Sequence, residues 1–119
     1  MKLTNGDISK TSKVANVMMN YLLQNGANDI SMNLRHTDTL MSMIFKTDYI
    51  QLSPEDISCL ERLLNVGYRE EYDDYYSDIP TEVVNWSDLA LVGSMIDEGF
   101  VNYDEGLLKL DLRYYYDKY

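Results

Sequence analysis

One cysteine, one histidine and two prolines are all that this 119-residue chain holds of each. Cys59 by itself makes no internal disulfide, which suits a reducing compartment, and with His36 as the sole histidine no Cys/His zinc site can be assembled. Long apolar runs are missing as well: no window approaches the roughly 18 consecutive apolar residues of a membrane helix. The opening "MKLTNGDISK" places polar residues where a signal peptide needs its apolar stretch. These absences predict a soluble, cytoplasmic protein with no membrane partner. Positive charge is scarce too. Ten lysines and arginines stand against 20 acids, a formal net charge of -10. Such a field repels phosphate backbones and anionic lipid heads, which disfavours direct nucleic-acid binding.

What is present suffices for one core. A chain of this length removes roughly 65% of its unfolded surface from water without help from metal or disulfide. No internal repeat and no linker rich in Gly, Ser or Pro divides it, so the expectation is a single domain over residues 1–119 with its core over about 12–115.

Hydrophobic period sorts the elements. Val14, Val17, Met18, Tyr21 and Leu22 fall at helical spacing, with Lys13, Asn16, Asn20 and Gln24 along a polar edge and Asn25-Gly26 as the C-cap. From residue 29 the period becomes two: Ile30, Met32 and Leu34 alternate with Ser31, Asn33 and Arg35, a strand with one wet face. "HTDT" turns the chain into "LMSMIF", a short apolar run that reads as a more central strand. Ser53-Pro54-Glu55-Asp56 starts a helix by capping, by a proline at the first helical position and by acids at the positive end of the dipole; Ile57, Leu60, Leu63 and Leu64 give its buried face. Tyr68, Tyr72, Tyr75 and Tyr76 again have helical spacing within the acidic "YREEYDDYYSDIP", which Pro80 ends. A helix entered at Asn85 or Ser87 buries Leu89, Val92, Met95 and Ile96, with Gly99 as its stop. The end reads as a hairpin, "FVNY", a turn at Asp104-Glu105-Gly106, then Leu108, Leu110, Leu112 and Tyr114 in alternation. Together these predict an α+β fold, a two-layer α/β sandwich with a mixed, mostly antiparallel four-stranded sheet and about three helices on one face.

This order, with "NVMMNYLLQNGANDISMNL" and "WSDLALVGSMIDEGFVNYDEGLLKLDLRYY" at its two ends, resembles the ATP-binding domain of histidine kinases and the wider ATPase family shared with gyrase-type topoisomerases. The resemblance implies a histidine-kinase ATPase-like fold in which Asn20 matches the asparagine that holds magnesium on the ATP phosphates, with Asn16 at a polar site one turn earlier. It also sets "KTDYIQLSPED" against the family's adenine-binding Asp-x-Gly-x-Gly, where Thr47 or Asp48 takes the aspartate's place.

The departures from the family are chemical. Tyr49, Ile50, Gln51 and Leu52 stand where two glycines belong, and Trp86, Ser87 and Asp88 replace the glycine pair of the phosphate loop. A Cβ at such turns blocks both the backbone angle and the approach of the nucleotide. The expectation is therefore a degenerate histidine-kinase-like domain that does not bind ATP productively, with no cofactor, no metal site and no catalytic residue, acting as a non-catalytic protein-interaction or regulatory module. Two alternatives stand beside it: a divergent Mg-ATP binder using Asn20 and Asp48, and an acidic nucleic-acid mimic that inhibits a DNA-binding protein.

Each residue has a plainer reading. Asn16 and Asn20 also fit the solvated shoulder of an amphipathic helix, Asp48 a turn, His36 a surface position, and Cys59 a small buried hydrophobe with no adjacent base to activate it. Eleven tyrosines against two phenylalanines is a skewed usage. Tyrosine offers large contact area at low entropic cost, so Tyr68, Tyr72, Tyr75, Tyr76 and Trp86 are the expected interaction residues toward a protein partner, the alternative being a helix that lays its rings on the core. "EEYDDYYSD" lacks the spacing of an EF-hand calcium loop.

Overall fold

A computed structural model describes residues 3–65 and 86–116, with only the backbone course described for 86–88. The tyrosine segment of the sequence reading lies outside these residues. Among the described residues three helices and four strands follow in the order α1 (Asn5–Gln24), β1 (Ile30–His36), β2 (Leu40–Tyr49), α2 (Pro54–Leu63), α3 (Trp86–Met95), β3 (Glu98–Asp104) and β4 (Leu107–Tyr115). The strands form one sheet in the order β1-β2-β4-β3. All three pairings are antiparallel, which narrows the expected mixed sheet to a uniform one. The α+β two-layer sandwich expected from periodicity is the architecture observed.

Local chemistry sets the helix ends. Thr4 and Asp7 form a reciprocal capping box ahead of α1, the Asp7 N–H donating to Thr4 Oγ1 at 3.0 Å and the Thr4 N–H to Asp7 Oδ2 at 3.2 Å. This box starts the helix well before the periodic stretch that the sequence pattern marked. The Thr4 hydrogen bonds, with lesser help from the Tyr114 hydroxyl and Lys10, hold the Asp7 carboxyl below the usual carboxylate range. At the other end Gly26 takes φ 95°, and the Gly26 and Ala27 N–H groups close back on Leu23 and Leu22 carbonyls at 3.1 Å each. Ser53 and Asp56 repeat the capping box at α2, with Pro54 opening the helix.

One face of the sheet carries the core. Met41, Met43 and Phe45 of β2 stand beside Leu112 and Leu110 of β4, and the helices lay Val14, Met18, Leu22, Leu60, Leu89 and Val92 on them. Each such buried side chain contributes about 1.5–3 kcal/mol, so this layer supplies most of the hydrophobic stabilisation. The opposite face is amphiphilic, with Arg113 stacked 4.8 Å from the Phe100 ring and paired to Asp111 at 3.1 Å.

Three residues depart from the sequence pattern, Met32 and Leu34 on β1 and Gly99 on β3. Met32 and Leu34 alternate correctly and share the core-side face of β1, since they pair with Phe45 and Met43, yet they are 40% and 46% exposed. The edge strand extends beyond the described helical cover. Gly99 is not the stop of α3: the helix ends at Met95, and Gly99 is the second residue of β3, packed under the end of α2. A Cβ there would stand 2.7 Å from Leu64 Cβ and 3.3 Å from the Leu64 carbonyl oxygen. Glycine is needed for that close approach of strand to helix, not for a cap.

Two outcomes follow from the packing. Gly99→Ala should destabilise the fold by about 1–3 kcal/mol through overpacking, read as a lowered urea midpoint with an unchanged slope. Tyr21 is buried on α1, and burial, with the charges of Asp56 and Cys59 adding, pushes its phenol from 10.0 up to about 12. The folded state therefore keeps a proton that the unfolded chain gives up first. That part of the stability is intact below pH 10.0 and is lost as the pH climbs towards about 12. Tyr21→Phe should flatten the alkaline decline, by about 1–2 kcal/mol, in urea titrations across that range.

Candidate functional site

The outer backbone of β3 is the place where helix, strand and loop chemistry converge. Asn65 follows the last turn of α2, and its carboxamide makes three bonds. Nδ2 donates to the Glu61 carbonyl at 2.7 Å and to the Gly99 carbonyl at 2.8 Å, while Oδ1 accepts from the Gly99 N–H at 3.1 Å. One side chain thus closes the helix and imitates a neighbouring strand at a single residue of β3. The geometry also fixes orientation: if both backbone groups of Gly99 point away from β4, so do those of Val101 and Tyr103, because antiparallel strands alternate. Among the described residues those two have no backbone partner on that side.

A groove of about 750 Å³ runs along this edge. Leu52, Pro54, Ile57 and Glu61 of the α2 side form one wall, and Phe100, Asn102, Lys109 and Asp111 form the other, with Val101 and Tyr103 at the floor. Tyr103 is fixed by its hydroxyl, which donates to the Ile50 carbonyl at 2.7 Å and accepts from the Leu52 N–H at 3.2 Å. These bonds hold the loop before α2 at a set distance from the strand. The groove combines apolar walls with a few directed polar groups, the usual make-up of a recognition cleft.

The residues singled out from sequence lie elsewhere. Asn16 and Asn20 are exposed on the side of α1 turned away from Val14, Met18 and Leu22. Thr47 is buried where β2 shifts register against β4, accepting from the Leu108 N–H at 3.3 Å and donating to the Asp48 carbonyl at 2.8 Å. Asp48 accepts from the Asn28 N–H at 3.0 Å, and its own N–H donates to the Asp29 carbonyl at 3.0 Å. Thr47 and Asp48 thus hold backbone. Cys59 is partly buried and His36 is exposed at the end of β1. Trp86 opens α3, and Tyr68, Tyr72, Tyr75 and Tyr76 fall outside the described residues.

Among the described residues no group of three or more His, Cys, Asp and Glu side chains is placed to hold a metal ion, and no helix is long and apolar enough to cross a membrane. Asn65 was not singled out from the sequence. Its signal is slight, because a carboxamide after a helix is common and the strand it grips lies 34 residues on.

Asn65→Ala should free both outward groups of Gly99 at once. The expected cost is about 1–3 kcal/mol, with amide exchange at Gly99 accelerating more than at Val92, measured by native-state hydrogen exchange. Compared with protein-family models, curated proteins and solved structures, the chain matches none.

Proposed function

We propose that this chain is a non-catalytic protein-interaction module that receives an extended, basic stretch of another protein along the β3 edge. The carrying observation is the pair of residues with outward backbone groups, Val101 and Tyr103, which line a groove on the β3 edge two residues beyond the Asn65 clamp at Gly99. An added strand gains affinity from main-chain bonds, and pockets for alternate side chains give it selectivity. Ile57, Leu52 and Pro54 offer the apolar pocket on the helix side. The net charge of -10 selects for lysine and arginine in the partner and raises its encounter rate.

The family resemblance in the sequence fits this reading as that of a degenerate histidine-kinase-like domain, with bulky side chains at the nucleotide loops. Thr47 and Asp48, the adenine-reading candidates, are committed to backbone bonds, and Asn20 faces outward from the core. The tyrosine segment with Trp86 belongs to the same proposal as a further contact surface.

The test is binding of a fluorescent peptide of alternating lysine and valine, measured by anisotropy. Val101→Pro removes an outward N–H without removing a ladder bond, as proline is tolerated on edge strands. It should weaken binding by at least about tenfold, equivalent to one main-chain bond, and N-methylation of alternate peptide amides should do the same. Binding that ignores both changes would sink the edge-strand reading. A rise in melting temperature of roughly 4 °C or more with millimolar Mg-ATP, abolished by Asn20→Ala, would replace it with a nucleotide site.

A further inference from the structure

The second outer strand, β1, points to a different partner. Eight large apolar side chains are exposed among the described residues, and five of them, Ile8, Met19, Leu23, Met32 and Leu34, lie on α1 and β1. With about 100° between successive helical residues, Ile8, Met19 and Leu23 fall on one exposed stripe of α1. Tyr21 falls within the buried stripe, between Val17 and Val14, near Asp56 and Cys59 of α2.

Among the described residues the outer side of the β1 backbone is equally without a partner. Asp48 N–H to Asp29 carbonyl at 3.0 Å and Thr37 N–H to Leu40 carbonyl at 2.9 Å set which residues turn towards β2. By alternation Ile30, Met32, Leu34 and His36 turn their N–H and C=O groups outward. Charge is distributed to match. Residues 1–36 hold four cations (Lys2, Lys10, Lys13, Arg35) and two acids (Asp7, Asp29), hence +2, which leaves -12 for residues 37–119 of the total of -10. This is the least acidic part of the molecule, so a second acidic copy meets the least like-charge repulsion there.

We infer that β1 pairs antiparallel with β1 of a second copy about a two-fold axis through Asn33, joining two four-stranded sheets into one of eight. In the register of full overlap Ile30 faces His36 of the second copy, Ser31 faces Arg35, Met32 faces Leu34, and Asn33 faces itself. No like charges oppose one another. Met32 and Leu34 form cross-strand apolar pairs on the helix side. Because the axis is perpendicular to the sheet, both helical layers lie on the same side of the joined sheet. The interface is isologous and closes, so it yields a dimer and not a fibre.

The test uses the full chain at tens of micromolar in sedimentation velocity, where twice the monomer mass is expected. Leu34→Lys should raise the dissociation constant by at least about tenfold with unchanged circular dichroism. Independently of that variant's stability, Asn33→Cys in a Cys59→Ser background should form a disulfide dimer on mild oxidation, since Asn33 meets its own copy at a non-hydrogen-bonded position about 4.5 Å apart. Ser31→Cys in the same background should not. A monomer at every concentration overturns the proposal. So does a dimer that is indifferent to Leu34→Lys and cross-links equally through residues 31 and 33.

Discussion

Along the outer strand of an antiparallel sheet every second residue turns its N–H and C=O away from its neighbour, and those groups need a partner. Much of this molecule is arranged around that requirement. Asn65 answers it at Gly99 with one carboxamide, and in doing so joins the end of α2 to β3. The contact works because residue 99 has no side chain: the helix end at Leu64 sits where a Cβ would be. Helix, edge and glycine are thus one interdependent unit. The groove beside it is what remains where the clamp stops.

Coverage of the sheet is uneven, and charge follows it. The inner strands β2 and β4 are sealed by the helical layer, with Phe45, Leu110 and Leu112 fully enclosed, whereas β1 leaves Met32 and Leu34 partly in water. The acids concentrate after residue 36. A chain with so large a negative excess repels copies of itself over most of its surface, so an apolar, nearly neutral edge is the direction from which association costs least. The two outer strands thereby differ in kind, one clamped and bordered by a groove, the other plain and apolar.

The core was legible because period and burial coincide. Val14 to Leu22 at helical spacing, the alternation from Leu108 to Leu112, and Ser53-Pro54-Glu55-Asp56 each encode their element locally, and each stands where the pattern put it. The turn at Glu105-Gly106 was equally plain, with φ of 52° and 87°. Gly99 was misplaced because a glycine after a helix has two uses, as a cap or as space for a neighbour, and only the position of Leu64 distinguishes them. Asn65 was unreadable for a related reason, since its partner is fixed by tertiary placement. The Thr4–Asp7 box lay in the sequence as Thr-x-x-Asp, but polar residues around it hid the first turns of α1 from a search for apolar period. Thr47 and Asp48 were noticed for a possible ligand, while their actual bonds go to Leu108 and Asn28 backbone.

The strand order β1-β2-β4-β3 has a kinetic meaning. Each half of the sheet is a hairpin of chain neighbours, one turning at residues 37–39 and the other at Glu105-Gly106. Local pairs of this kind close in microseconds. The seam between them, from Leu40 against Tyr115 to Tyr49 against Leu107, joins residues 75 to 58 positions apart in the chain and carries the heart of the core. Its closure entropy must be met before Phe45 and Leu110 touch, so assembly of the two halves along that seam is the step that sets the pace of folding.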